Sequence, residues 1–229
     1  MEQYARILKL ISEDKLKSIQ NKKIVLIGVG GVGGFVLETL VRFGLKNIII
    51  IDNDTVDITN LNRQVISNYE VLGEEKVKVA KARALSINPN GCFIVHSVFL
   101  NKENIREYIS LDTDYILDCC DTVTTKMALI MYAKEQRIPI ISAMGTGNRL
   151  DPSKIVITDI YKTNNDPLAK IMRRLCKDNK IKKLTVVTSS ELPIKTHDRT
   201  PGSTPFVPSV AGIFMASHII LEWLKDLEN

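Results

Sequence analysis

Short apolar runs alternate with longer segments of helical spacing over the first part of the chain. Residues 24–27 and 47–52 are apolar on both faces, as is typical of parallel strands that helices cover on both sides. Between them, apolar residues recur at helical spacing from Val32 until Gly44, a residue type that commonly ends a helix. The pattern predicts a strand, a helix and a second strand parallel to the first.

The same alternation continues to residue 143. It predicts helices at 74–87, 101–109 and 124–137, and strands at 93–99, 115–119 and 139–143. Strands that alternate with helices favour an α/β fold with a Rossmann-like, doubly wound and mostly parallel sheet.

The pattern changes after Gly147. Two additional strands are expected at 154–160 and 182–190, on either side of a basic segment at 166–183. Residues 191–208 are rich in Pro, Thr and Ser, which predicts a mobile crossing loop. A closing helix is expected at 209–227.

Composition narrows the class of protein. The 229 residues are 45% hydrophobic and 25% charged, which is ordinary for a soluble globular chain, and the net charge of +5 permits an anionic partner. Residues 1–23 are polar, so we expect no signal peptide. The apolar run 210–224 is short for a membrane span and indicates a buried helix. We expect a cytoplasmic protein that does not contact a membrane.

The first turn of the predicted sheet is rich in glycine. Gly28, Gly30 and Gly33 fit the pattern G-x-G-x-x-G between a strand and a helix, and Asp52 follows 24 residues after Gly28. Glycines let phosphates approach the backbone, and the helix N-terminus then offers free N–H groups to the anion. The turn predicts a nucleotide site, with a tight turn that binds nothing as the simpler alternative.

The residues after the second strand indicate which nucleotide. Asp52 stands where a carboxylate can accept hydrogen bonds from ribose hydroxyls. Asn60, Arg63 and Gln64 then occupy the region that the nicotinamide half of a dinucleotide would need. Because an arginine fork matches phosphate oxygens, this set favours ATP over NAD.

Two further residues fit a triphosphate. Lys76 opens a predicted helix and supplies a point charge of the kind that phosphates bind, and Asp121 follows the fourth strand, where a carboxylate can hold Mg²⁺. Each has a simpler alternative. Lys76 could be one of several solvated lysines, Asp121 could only cap the next helix, and Asn60 and Asn62 could only shape a loop.

Several stretches carry a resemblance to a known family. "GVGGVGG", "DNDTVDITNLNRQ", "GEEKVKVAK" and "DCCDTVTTK" resemble the adenylating superfamily of ubiquitin-activating-like enzymes. "KTNNDPLAKIMRR" and "GSTPFVPSVAG" resemble one branch of it, the tRNA threonylcarbamoyladenosine dehydratases, and the likeness spans about residues 4–227. The activators of sulfur-carrier proteins often carry two C-x-x-C zinc pairs. This chain has none, which argues against that branch.

The resemblance implies a single adenylating domain over residues 1–229, with a nucleotide-binding core at 1–147 and a substrate-side extension at 148–229. It implies ATP and Mg²⁺ as cofactors, with Asp121 on the metal. Arg63 and Lys76 would act in catalysis together with Arg6, which would reach the ATP of a partner subunit in a homodimer. The implied ATP contacts are Gly28, Gly30, Gly31, Gly33, Asp52, Asp54, Asn60, Arg63, Gln64, Lys76 and Asp121.

The implied reaction is an ATP-dependent cyclisation of threonylcarbamoyladenosine in tRNA, through an acyl adenylate of the threonyl carboxylate. The basic segment offers positive charges that can track phosphates, although a solvated helix face is the alternative. The expected tRNA contacts are Lys170, Arg173, Arg174, Lys177, Lys182 and Lys183.

Three other functions stay open at this point. The chain could adenylate the C-terminal carboxylate of a ubiquitin-like sulfur carrier, act as a nicotinamide-dependent oxidoreductase, or serve as a non-catalytic scaffold that binds ATP or RNA. No cysteine is expected as a nucleophile. Cys119 and Cys120 are expected to pack in the core, and Cys176 lies in a basic setting that could lower its pKa.

Overall fold

The computed structural model describes residues 2–196 and 200–227 and contains one seven-stranded sheet in the order β3-β2-β1-β4-β5-β7-β6. All neighbouring strands are parallel except β6, which is antiparallel to β7. The doubly wound, mostly parallel α/β fold is therefore confirmed. The strands are β1 (Lys23–Ile27), β2 (Asn47–Asp52), β3 (Cys92–Ser97), β4 (Tyr115–Asp118), β5 (Ile140–Ala143), β6 (Ile155–Asp159) and β7 (Thr185–Ser189).

Helices cover both faces of the sheet. On one face, α2 packs against α3 and α7, and α1 packs against α7; on the other, α5 packs against α4 and α6. The two faces enclose separate apolar clusters, so the central strands are buried on both sides. The helices are α1 (Glu13–Gln20), α2 (Gly33–Phe43), α3 (Lys76–Ile87), α4 (Ile105–Tyr108), α5 (Val123–Gln136), α6 (Pro167–Asp178) and α7 (Val207–Asp226).

The βαβ unit that opens the sheet forms where its pattern predicts. The second strand has the expected bounds, and four of its six residues are buried. α2 ends at Gly44, which adopts the left-handed conformation with φ 111° and donates its N–H to the carbonyls of Leu40 and Val41. A glycine adopts this conformation without the Cβ penalty of other residues, which explains the sharp end of the helix.

Two predicted helices are shorter than expected. α3 begins at Lys76 instead of residue 74, because Glu74 accepts a backbone hydrogen bond from Val56 and Glu75 forms an isolated bridge with Thr55. The helix expected at 101–109 shrinks to α4, since the Asn101 side chain accepts from the N–H groups of two following residues and holds a turn there. Such local bonds of asparagine compete with helix formation.

The C-terminal part extends the same sheet, because β7 pairs with β5. The division of the chain at residue 147 stays a prediction. α7 is long and apolar enough to cross a membrane by length and composition alone, and half of that window is buried. Its packing against α2 and β6 agrees with the buried helix expected from the sequence.

Candidate active site

A cavity of about 780 Å³ opens at the carboxyl ends of the parallel strands. In an open α/β sheet this edge is where ligands bind, and the change of direction between β1 and β4 lies there. One side of the cavity is built from the glycine turn and the residues after β2, and the other from residues after β5 and β7. Ten of the eleven expected ATP contacts line it: Gly28, Gly30, Gly31, Asp52, Asp54, Asn60, Arg63, Gln64, Lys76 and Asp121.

Glycine is required at both ends of the turn for reasons of space. Gly28 has φ 83°, and a Cβ there would lie 3.0 Å from the Cys119 carbonyl group. A Cβ on Gly33 would lie 1.8 Å from the Gly28 carbonyl oxygen, so no other residue fits. Gly33 therefore packs the turn beneath the cavity and does not line it. A Cβ on Gly30 would meet only the Gln64 side chain, at 3.7 Å, so there is room for a ligand beside this residue.

Asp52 fixes the shape of the turn. One of its carboxylate oxygens accepts from the Val29 N–H at 2.7 Å, and the other accepts from the Asp54 N–H at 2.9 Å. A carboxylate has about four acceptor positions, so two remain for ribose hydroxyls. The residue is placed at the strand end, as the sequence predicts.

The two cations of the phosphate side are held by protein oxygens. The Lys76 side chain is only 7% exposed, and its Nζ lies 2.8 Å from Asp54 Oδ2. Lys76 is therefore not one of several solvated lysines, which was the simpler alternative. Arg63 Nη1 donates to the Thr59 carbonyl at 2.7 Å and to Asn62 Oδ1 at 2.9 Å. Both cations border the cavity, and an anion that enters it can compete for them.

The polar residues around these cations have distinct tasks. Asn60 is buried, and its Oδ1 accepts from the Asp57 N–H at 3.1 Å in a capping box, so it shapes the loop. Gln64 is buried beside Gly30, and its Oε1 has no hydrogen-bond partner within residues 2–196 and 200–227. An unsatisfied buried polar atom is costly, and one that borders a cavity is typical of a binding site.

Asp121 is exposed and lines the cavity, directly after Cys120, whose backbone nitrogen lies beside Gly28 of the glycine turn. The N-cap of α5 is Thr122, without a side-chain cap, so Asp121 does not serve as the cap that was its simpler alternative. In the described part of the chain, no group of three or more His, Cys, Asp and Glu side chains could hold a metal ion. Mg²⁺ commonly binds through one or two carboxylates plus phosphates and water, so a single aspartate fits it.

A buried ion pair beneath the cavity was missed by the sequence analysis. Lys126 Nζ lies 3.0 Å from Asp118 Oδ2, both side chains are fully buried, and the same Nζ donates to the Ala143 carbonyl at 2.7 Å. Asp118 also accepts from the Cys120 N–H. The pair thus connects α5 with the ends of β4 and β5. A lysine inside the apolar segment "VTTKMALIMYA" was the available signal.

The second side of the cavity contains three further residues that the sequence analysis missed. Arg149 is buried and donates to the carbonyls of Asn165, Ser189 and Glu191. Asp166 is buried and accepts from Gly145 N–H, Thr188 Oγ1 and Ala169 N–H.

The third is Asn148, which adopts φ 58° and bonds to the backbone of Gly202 through both its N–H and its Oδ1. The positive φ is a conformation that Asn tolerates better than most residues, but a sequence does not reveal it.

Three of the four cysteines have thiols with a raised pKa. Burial raises the pKa of the Cys119 and Cys120 thiols far above its ordinary value, and the Asp118 carboxylate adds to this effect. Burial also raises the pKa of Cys176 to about 11, so the lowered value considered for its basic setting is wrong. Because the thiolate is the reactive form, the raised pKa disfavours nucleophilic attack by these three thiols at neutral pH.

Arg6 lies at the edge of the sheet opposite the cavity. The neighbouring Tyr4 ring packs beside Gly44, which precedes β2, while the cavity follows β2. The Arg6 side chain is exposed, and in the described part of the chain it has no hydrogen bond or ion pair.

The basic segment forms α6 and most of the loop that leads to β7. Arg173 is partly buried and donates to the carbonyl and hydroxyl of Thr163, whereas the other expected tRNA contacts are exposed. α6 begins beside the cavity at Asp166 and runs away from it. The exposed cations are Lys170, Arg174, Lys177, Lys182 and Lys183.

Comparisons with known proteins identify the family of the chain. The chain matches the ThiF family over residues 3–225. It is 36% identical to the tRNA threonylcarbamoyladenosine dehydratase of Bacillus subtilis (strain 168), over 100% of this chain and 97% of that protein. Crystal structures of E. coli tRNA N6-threonylcarbamoyladenosine dehydratase, TcdA, in complex with AMP and with ATP superpose with TM-scores of 0.94 and 0.93, at 30% identity over 99% of this chain and 96% of each of those chains. The chain therefore belongs to the ThiF family.

Proposed function

We propose that the protein is an ATP-dependent tRNA threonylcarbamoyladenosine dehydratase, which cyclises the modified adenosine through an acyl adenylate. The observation that carries the proposal is the pair of cations at the cavity, Lys76 and Arg63, each held by oxygens that an anionic ligand can replace. They line the same cavity as Asp121 and as a glycine turn that leaves its backbone open to phosphates. This arrangement suits a triphosphate better than a dinucleotide.

The chemistry follows from the weak reactivity of a carboxylate. A carboxylate oxygen of the threonyl group attacks the α-phosphorus of ATP, the bond to pyrophosphate breaks, and the acyl group then has AMP as its leaving group. The carbamoyl group of the same substrate attacks the acyl carbon, loses a proton, and closes a five-membered ring as AMP leaves. In total the base loses water, and ATP becomes AMP and pyrophosphate.

The residues have separate roles in the first step. Lys76 and Arg63 stabilise the negative charge that develops on the phosphate oxygens, since fixed cations in a partly dry site need little reorganisation. Asp52 holds the ribose by accepting hydrogen bonds from its hydroxyls. The unpaired amide oxygen of Gln64, beside the turn, accepts a hydrogen bond from a donor group of the nucleotide. Asp121 would hold a magnesium ion, which supplies further positive charge to the phosphates when it is bound.

The second step needs no enzyme nucleophile. The attacking group is already tethered to the reacting acyl group, and such intramolecular reactions have high effective concentrations. The raised pKa values of the buried cysteines are consistent with this route, because no thioester has to form.

We infer that Arg6 acts in the cavity of a second subunit. β1 and β2 separate Arg6 from the cavity of its own chain, and strands of five and six residues span roughly 17–20 Å. That distance is beyond the reach of one side chain. A free arginine at this edge is therefore available to a neighbouring copy.

The exposed face of α7 is a suitable dimer surface. The first turn of α7 lies beside the cavity, which Pro208 lines, and its last turns lie near Lys22, at the opposite edge of the sheet. If two copies pair through this face around a two-fold axis, their helices are antiparallel, and the N-terminal segment of one copy lies at the cavity of the other. The face consists of Phe206, Val210, Ile213, Phe214, Ser217, Leu221 and Leu224.

Mixing two inactive variants tests this dimer. Arg6→Ala and Arg63→Ala should each lose cyclisation, and a refolded equimolar mixture should recover about one quarter of wild-type activity, since half of the dimers are hybrids with one intact site. If the mixture stays inactive while the hybrids form, Arg6 does not act across an interface.

The tRNA would lie along α6. Lys170, Arg174 and Lys177 share one exposed face of the helix, and α6 leads away from the cavity, as a polynucleotide that inserts one modified base requires. Lys182 and Lys183 extend this track beyond the helix. We do not assign Arg173 to the tRNA, because its guanidinium is engaged by Thr163. The cytoplasmic location stays a prediction.

Mass analysis of tRNA nucleosides tests the reaction. Purified protein, ATP, Mg²⁺ and tRNA that carries threonylcarbamoyladenosine should yield a nucleoside lighter by one water, together with AMP and pyrophosphate. Arg63→Ala should lower the rate on the order of a hundredfold, as does the loss of one charge-stabilising donor elsewhere. Pyrophosphate release with a ubiquitin-like protein and not with tRNA would favour the sulfur-carrier alternative.

A further inference from the structure

The cavity is closed on its second side by a short segment of the crossing loop. Thr200, Pro201, Gly202 and Ser203 line it. The segment belongs to neither a helix nor a strand, so its position depends on the groups that hold it. Two asparagines from distant parts of the chain do so.

Asn148 holds the segment from the β5 side. Its N–H donates to the Gly202 carbonyl at 2.7 Å, and its Oδ1 accepts from the Gly202 N–H at 2.6 Å. Its own carbonyl accepts from the Ile194 N–H at 2.8 Å. A Cβ on the preceding Gly147 would lie 2.8 Å from Pro201 Cβ, so the two backbones approach closely at this point.

Asn62 holds the same segment from the ATP side. Its Nδ2 donates to the Ser203 carbonyl at 3.1 Å, across 141 positions of sequence. Its Oδ1 accepts from Arg63 Nη1 at 2.9 Å. One amide group therefore joins the arginine assigned to the phosphates with the wall on the other side of the cavity.

We propose that Asn62 and Asn148 are positioning residues that hold residues 200–203 as the wall against which the threonylcarbamoyl group is bound, and that Asn62 couples this wall to Arg63. This inference rests on the proposed function. When ATP draws the guanidinium of Arg63 towards its phosphates, the Asn62 amide loses one of its two partners and can align on Ser203. ATP then favours binding of the second substrate.

The test uses the full-length protein and two side-chain deletions. Asn62→Ala removes both contacts of the amide, and Asn148→Gly removes the Oδ1 acceptor while a glycine keeps the positive φ without strain. Asn90→Ala is the matched control, because Asn90 is exposed and makes no side-chain hydrogen bond in the described part of the chain. The readouts are the KM for ATP, the KM for threonylcarbamoyladenosine tRNA, and tRNA affinity with and without α,β-methylene ATP.

We expect both variants to raise the KM for tRNA about fivefold, as the loss of one net hydrogen bond does, with the KM for ATP within about twofold of wild type. In wild type the ATP analogue should tighten tRNA binding, and in Asn62→Ala this gain should disappear. If both variants match Asn90→Ala, the inference is wrong although the reaction stands. If the wild-type protein forms no cyclic product, the result would instead contradict the proposed function.

Discussion

The buried Asp118–Lys126 pair allows a sharp test of how the cavity is supported. In Lys126→Met the chain keeps a long apolar side chain at this position but loses the ammonium group, and Asp118 remains as a buried charge with only the Cys120 donors. Breaking a buried pair in this way costs about 3–5 kcal/mol. Total stabilities of domains are about 5–15 kcal/mol, so the loss is large but can leave the protein folded.

A second variant separates the charge from the packing. Asp118→Asn together with Lys126→Met removes both charges, and the asparagine can still accept from the Cys120 N–H. Replacement of a buried pair by neutral groups is often close to neutral, so the double variant should regain most of the lost stability. Lys102→Met is the control, because Lys102 is exposed and makes no ion pair in the described residues.

The measurement is unfolding by urea and by heat. The single variant should unfold at a temperature lower by about 6–20 °C, since each kcal/mol shifts the midpoint of a domain of this size by about 2–4 °C. The unfolding midpoint of the double variant should lie nearer to that of wild type, and the midpoint of Lys102→Met should equal that of wild type. Two results would contradict the view that Asp118 is left as an unpaired buried charge in Lys126→Met. One is a decrease in its free energy of unfolding of less than about 1 kcal/mol, and the other is a double variant that is no more stable than Lys126→Met.

Three further predictions concern the site. Gly33→Ala should abolish ATP binding in calorimetry, because its Cβ would lie 1.8 Å from the Gly28 carbonyl oxygen. Gly73→Ala is strained by the φ of 84° at that residue but lies outside the cavity, so it should lower stability and still bind ATP. Iodoacetamide at neutral pH should label the exposed Cys92 and spare Cys176, whose pKa burial raises to about 11; equal labelling of the native protein would contradict that burial. Replacing Lys170, Arg174 and Lys177 with Glu should weaken tRNA binding and flatten its salt dependence; an unchanged slope would exclude this face.

The sequence was most informative where the structure depends on local pattern. β2 and the glycine C-cap of α2 follow directly from an apolar run and from one residue with unusual backbone freedom. The length of the helix predicted at 101–109 was overestimated, because apolar spacing does not reveal that the Asn101 side chain accepts hydrogen bonds from the backbone that follows it. The α3 start was misplaced by a bridge to Thr55, which depends on a residue outside the helix.

The candidate site divides in the same way. Its ATP side could be predicted because Gly28, Asp52 and Arg63 stand at fixed spacings within a short stretch of chain. The second side could not, since Asn148 and Arg149 act through backbone groups of segments between 16 and 54 positions away. Hydrogen bonds to backbone leave no pattern in the partner's residue types, so a single sequence carries no trace of them.

The order of the strands in the sheet differs from their order of synthesis, which has a consequence for folding on the ribosome. β6 leaves the ribosome before β7, yet β7 lies between β5 and β6 in the sheet. A nascent chain that stalls before Thr185 therefore presents the open edge of β5 to other chains, which favours aggregation. The glycine turn can form early, whereas residues 200–203 arrive only after β7. A truncated product is thus expected to be a burden for chaperones and proteases.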